Sequence, residues 1–174
     1  MRMRAFTRAL IPVVVACCSC RPQPEWYAPP PQYSSPIPSR GSALLLDMGD
    51  PGVAAHIVKD VVNPAPGEIA CWTGRTPTFR FSLPAAGHPV FYMKYAVHSR
   101  SLAQSGSVTL TIRLNDRQLD RIVVREDGPR EYHKPVSGAG GATVVSVDVD
   151  PPWIAPADHA VLGIILYSIG FYAP

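Results

Sequence analysis

The chain has 174 residues, 47% of them hydrophobic, with 20 prolines, 13 glycines and a formal charge of +3, a balance that suits one domain with appendages and many short strands rather than helices. Arg2, Arg4 and Arg8 supply the whole charge excess, so everything after residue 16 is formally neutral. That excludes nucleic-acid binding through a basic face, which needs Lys and Arg gathered on one surface.

The three arginines precede the apolar run Ala9 to Ala16, and together they form the n-region and h-region of a secretory signal, residues 1–16. The run is too short to span a bilayer, which takes roughly 20 apolar residues. Val14-Val15-Ala16-Cys17 resembles the bacterial lipobox. The resemblance implies that Cys17 becomes the first residue of the mature chain and carries several acyl chains, enough for stable membrane anchoring. With no Asp after Cys17, it also implies an outer-membrane destination in a Gram-negative cell. The alternative is ordinary secretory cleavage that leaves Cys17, Cys18 and Cys20 as disulfide partners. Residues 17–40 then hold the lipidated cysteine and a tether, since Arg21 to Arg40 contains seven prolines in twenty residues and no apolar periodicity. Extended at about 3.1 Å per residue, it reaches roughly 60 Å. Trp26, Tyr27 and Tyr33 either meet the membrane interface, dock on the domain or stay in solvent.

The domain is expected over residues 41–174. Ala43 to Met48 reads as a short strand, Asp50-Pro51-Gly52 as a turn, and His56 to Val62 as a second extended run ended by Asn63-Pro64. Ile69 to Thr73 is a strand carrying Cys71 and Trp72. Pro77 to Leu83 alternates, with Phe79, Phe81 and Leu83 inward and Thr78, Arg80 and Ser82 outward. Val90 to His98 sets Phe91, Met93, Tyr95 and Val97 against Tyr92 and Lys94.

The clearest pattern is Ser107 to Arg125. Val108, Leu110, Ile112 and Leu114 share one face, Asn115-Asp116 supplies a tight turn, and Leu119, Ile122 and Val124 resume the apolar face. The odd spacing from Leu119 to Ile122 predicts a bulge near Asp120-Arg121. Arg130 to Val136 is a polar strand whose Pro135 suits a sheet edge. Thr143 to Asp150 alternates Val145, Val147 and Val149 with Val144, Ser146, Asp148 and Asp150. Val161 to Tyr172 is apolar on both faces and predicts a central strand. No segment combines helical periodicity with caps. Roughly ten short strands between turn signals predict an all-β protein, an antiparallel β-sandwich of jelly-roll type.

Cys71-Trp72-Thr73, Phe79-Arg80-Phe81, the Leu114-Asn115-Asp116 hairpin and Asp158 to Ile164 before a hydrophobic terminal strand are, in this order, similar to the galactose-binding-like jelly-roll modules attached to bacterial surface-polysaccharide glycosyltransferases. The resemblance covers about residues 43–172 and implies the fold. Such modules often have Asn-Gly at the hairpin and Arg before the Trp. This chain has Asn115-Asp116 and Cys71 there, and no binding residue carries over.

Four residues are candidates for ligand contact. Trp72 and Trp153 have the rings that stack on sugars, against core packing for Trp72 and a loop plug for Trp153. Arg130 and Tyr132, with Glu131 and His133, are set to line a concave face or to form an ordinary solvated edge. Asp148 and Asp150 share a face but fall short of the six to eight oxygens calcium takes, and the five histidines show no ligand spacing. Cys71, beside Trp72, reads as a buried inert thiol. No catalytic motif, metal site or cofactor is expected. The partners expected are a membrane through the lipid anchor and a glycan or another envelope component. The alternatives are a structural or assembly subunit that binds a protein, and an enzyme whose site the motifs do not reveal.

Overall fold

Alternation of apolar and polar side chains dominates the local structure. The computed structural model describes residues 44–62, 67–84, 87–137 and 140–173. The signal, Cys17 and the Pro-rich tether lie outside the described residues. Among the described residues eleven strands follow in order: β1 (Leu45–Asp47), β2 (Ile57–Val61), β3 (Cys71–Leu83), β4 (Val90–Val97), β5 (Val108–Leu114), β6 (Arg117–Val124), β7 (Gly128–Pro135), β8 (Gly141–Asp150), β9 (Trp153–Ile154), β10 (Val161–Leu162) and β11 (Ile165–Tyr172). One helix, α1 (Ser99–Ser105), lies between β4 and β5.

All pairings are antiparallel, along the path β6-β5-β8-β3-β11-β4-β7, with β1 also on β11 and β2 on β3. The path curls at β3. Cys71 and Trp72 at its start pair with Leu166 and Ile165 of β11, whereas Thr78 to Leu83 pair with β8. β3 therefore joins a first sheet, β1-β11-β4-β7, to a second, β2-β3-β8-β5-β6. Phe79, Phe81, Leu110, Ile112, Val145 and Val147 of the second sheet pack with Phe91, Met93, Leu166, Ile169 and Phe171 of the first. Phe81 and Phe171 meet edge to face at 5.3 Å, and Phe91 meets Phe171 at 5.5 Å. Each such fully buried side chain contributes about 1.5–3 kcal/mol. The result is the jelly-roll sandwich that the alternation predicts.

Asn115 and Asp116 both adopt positive φ at the β5–β6 turn, as a two-residue hairpin turn requires. The bulge is there too, centred on Leu119. Ile112 pairs with Asp120 and Arg113 with Gln118, so Leu119 is the extra residue, and both Leu119 and Ile122 reach the core. β7 pairs with β4 alone and is an edge.

Three expectations are corrected. The segments Ile69–Thr73 and Pro77–Leu83 belong to a single 13-residue strand, because Pro77 falls where the strand passes from one sheet to the other. Val161–Tyr172 is divided into β10 and β11, with β11 central. Ser99–Ser105 is helical although its sequence lacks an amphipathic period. Its first turn is capped by the His98 ring, which accepts from the Arg100 N–H at 3.2 Å, and it ends at Gly106 with φ +73°, where glycine is favoured.

Candidate functional site

The outward face of the first sheet carries the most varied chemistry. Directly opposed residues on neighbouring strands share a face, so the register arranges this surface in rows. Trp72, Ile165, Ala96 and Pro129 form one row. The next is Asp47, Ser168, Lys94 and Glu131, and the next Leu45, Gly170, Tyr92 and His133. Tyr167 is the bulged residue between the first two rows.

A cavity of about 650 Å³ opens on these rows. Tyr92, Lys94, Tyr167 and Ser168 line its floor, the β1 end and following turn bring Leu45, Asp47, Gly49 and Asp50, and Gly67, Glu68 and Ile69 form the facing wall. Asp47 and Asp50 sit close because the turn is closed by the Asp50 N–H donating to the Asp47 carbonyl at 3.0 Å. The Lys94 ammonium is 3.5 Å from Glu131, whose other oxygen is 3.8 Å from His133. His133 in turn lies 4.9 Å from the Tyr92 ring and 3.0 Å from the Tyr172 hydroxyl. Burial pushes the Tyr92 phenol above its ordinary value. The floor thus brings tyrosine side chains, a serine hydroxyl and charged groups side by side.

Trp72 and Trp153, 81 positions apart, come together at 5.9 Å. His98 completes the cluster, 5.4 Å from Trp72 and stacked on Trp153 at 5.3 Å and 20°. Both indoles are half-buried. Trp153 lies in β9, which pairs with β10 as a small hairpin, and Trp72 occupies the row next to the cavity floor.

Arg130 and Tyr132 lie elsewhere. Along β7 the side chains alternate, so Glu131 and His133 reach the outward face while Arg130, Tyr132 and Lys134 turn to the seam between β7 and β6. There the Tyr132 hydroxyl donates to Asp120 at 2.7 Å, joined by the Lys134 ammonium at 3.1 Å. Arg130 donates to the Glu126 carboxylate at 2.9 Å. Neither Arg130 nor Tyr132 lines the cavity.

Asp148 and Asp150 share the outward face of the second sheet, where the Arg75 guanidinium spans them at 3.8 and 3.7 Å. Among the described residues no three His, Cys, Asp or Glu side chains gather as metal ligands. Cys71 is a free, buried cysteine. Burial, and then the Glu68 charge, pushes its thiol up to about 11, so it is protonated and unreactive at neutral pH.

Sequence reasoning missed the cavity residues Asp47, Asp50, Glu68, Tyr92, Lys94, Tyr167 and Ser168, and His98 in the cluster. The available signal was the outward placement of Tyr92 and Lys94 on a strand whose other face is core.

These features define a jelly-roll sandwich with an aromatic, polar groove on one outer face. No protein-family model matches this sequence, and no curated protein matches it. Among solved structures it is similar to the CBM36-1 domain of a multidomain xylanase from the hindgut metagenome of Trinervitermes trinervoides, with 10% identity and a TM-score of 0.45 over 75% of this chain and 96% of that one. It is also similar to a family 35 carbohydrate binding module from Clostridium thermocellum, with 9% identity and a TM-score of 0.44 over 70% and 95%. A third is dimeric latent PorU from Porphyromonas gingivalis, with 12% identity and a TM-score of 0.42 over 56% of this chain. The present chain spans 10% of that one.

Proposed function

We propose that this protein is an exported lipoprotein, acylated at Cys17, whose sandwich binds a glycan of the cell envelope without catalysis. The lipobox-like tetrapeptide and the seven-proline tether support the anchor, which places the domain tens of ångströms from the lipid surface. In a Gram-negative cell the destination is the outer membrane. One observation carries the binding role: the rings of Tyr92 and Tyr167 share a single cavity of about 650 Å³ with Ser168, Lys94 and three carboxylates. Sugars offer an apolar ring face for stacking and a rim of hydroxyls that both donate and accept, and such a floor answers both.

The test is titration of the full chain with soluble oligosaccharides, followed by intrinsic fluorescence and by chromatography of the sugars. Tyr92→Ala should weaken binding by about tenfold or more with a cooperative melt retained, and the oligosaccharides should emerge at their original length. Wild-type affinity in Tyr92→Ala removes the groove from the reading, and shortened products turn the protein into an enzyme.

A second reading, a structural or assembly subunit that binds a protein, is favoured by Ile154 and Val161. These cross-strand partners on the β9–β10 hairpin remain 52% and 48% exposed. Under it, Ile154→Asp should abolish crosslinking to a partner in intact cells and leave glycan titrations untouched.

A further inference from the structure

We infer that the groove is selective for glycans carrying free, protonated amino groups, an inference that rests on the glycan-binding reading above. The chain after residue 16 is neutral in total, but the cavity is not. Asp47, Asp50 and Glu68 line it, and among its described lining residues Lys94 is the one Lys or Arg. That ammonium lies 3.5 Å from Glu131, so its charge is already matched. The three rim carboxylates take part in no ion pair among the described residues. Residues 63–66, which adjoin the Glu68 wall in sequence, read Asn-Pro-Ala-Pro and add no charge.

The aromatic floor points the same way independently of the carboxylates. Tyr92 and Tyr167 both line the cavity, and the face of an aromatic ring that a ligand reaches attracts a cation. A uronate or sulfate group would meet three carboxylates at the rim and be repelled. An ammonium would meet acceptors for charge-assisted hydrogen bonds, which are about twice as strong as neutral ones. An amino sugar holds its ammonium directly on the ring that stacks, so one ligand residue engages floor and rim together. A lysine side chain carries the same charge at the end of a flexible four-carbon stem and loses rotamer freedom on binding.

The full chain should be titrated with the β-1,4-linked glucosamine tetramer, its fully N-acetylated counterpart and tetralysine, at a mildly acidic pH where the amines are protonated. The glucosamine tetramer is expected to bind about tenfold more tightly than the acetylated one at low salt. That advantage should fall severalfold as salt rises to about 0.5 M, where screening acts over a few ångströms. Glu68→Gln and Asp50→Asn should each narrow the ratio. Equal affinity for the two tetramers overturns the amine selectivity and leaves the glycan reading standing. Tetralysine binding as tightly as the glucosamine tetramer overturns the glycan as the source of the amine. Binding of none of the three overturns both readings.

Discussion

The Tyr132 hydroxyl donates to the Asp120 carboxylate at 2.7 Å and thereby ties the β7 edge of one sheet to the β6 edge of the other. Asp120 is held below the ordinary carboxylate range, first by that hydroxyl, then by the Arg121 backbone N–H and the Lys134 ammonium. A folded-state value below the unfolded one contributes stability above the unfolded pKa of about 3.9, and this is lost as pH falls through the folded value. Tyr132→Phe should therefore cost about 0.5–1.5 kcal/mol near neutral pH. In chemical unfolding repeated at decreasing pH, the gap between Tyr132→Phe and wild type should shrink toward about pH 2. A gap that stays constant into acid would show that the ionised carboxylate is not the partner that matters.

Leu110 and Ile112 are fully buried in β5, and Thr111 between them faces outward. Truncating either apolar residue leaves a cavity between the sheets, so Leu110→Ala and Ile112→Ala should each cost about 2–5 kcal/mol. Thr111→Ala removes little that is buried and should cost much less. Denaturant midpoints at an unchanged m-value provide the comparison. Equal losses at all three positions would contradict the division of β5 into an inner and an outer face.

The sandwich was legible because its determinants are local: strict alternation in Val108–Leu114 and Thr143–Asp150, and a turn pair that tolerates positive φ at Asn115-Asp116. The long strand β3 was not, because Gly74 to Pro77 look like a break and only the surrounding strands show that the chain continues through them. Helix α1 escaped because its cap is a histidine and its stability comes from its setting rather than from an apolar stripe. The groove was the least legible element. Its floor joins β1, β4 and β11 through register, its wall comes from Gly67–Ile69, and none of these neighbours is close in sequence. The meeting of Trp72 with Trp153 is of the same kind. Each tryptophan stood out alone, but nothing in the spacing of 81 residues pairs them.

Gly49 holds the turn of one groove wall against the other. A Cβ at this position would lie 2.5 Å from the Glu68 carbonyl oxygen, and both partners are backbone, so the walls must part to admit it. Gly49→Ala should cost about 1–3 kcal/mol, as overpacking typically does, and should weaken any ligand held between Asp50 and Glu68. Gly52→Ala is the matched control, since a Cβ there meets nothing within 4 Å. Thermal midpoints and ligand titration of the two variants decide the point. Equal behaviour would mean that the walls are not coupled through this contact.

The anchor is tested at Cys17. If acylation at this residue holds the protein on the membrane, Cys17→Ser should abolish labelling by a fatty-acid analogue and move the protein to the soluble fraction, because one remaining apolar run of eight residues cannot span the bilayer. Labelling that survives the substitution shifts the attachment to Cys18 or Cys20. A wild-type chain that never labels ends the lipoprotein reading.

Trp153 offers the sharpest separation between a binding residue and a structural one. Its ring lies on His98 at 5.3 Å and against Trp72 at 5.9 Å, on a two-residue strand paired only with β10. It stands outside the sealed layer between the sheets, which is filled by the Phe, Leu, Ile and Val side chains of β3, β4, β5, β8 and β11. Its removal should therefore cost less than the about 3–5 kcal/mol of a core Trp→Ala change. The Trp72 row adjoins the cavity floor, so the cluster extends the aromatic surface that a bound oligosaccharide would follow. Trp153→Ala should accordingly abolish glycan binding while calorimetry still records one cooperative melt. Loss of that melt would make Trp153 a plug that the fold requires. Wild-type glycan affinity in a folded Trp153→Ala variant would confine the binding surface to the groove between Asp47 and Glu68.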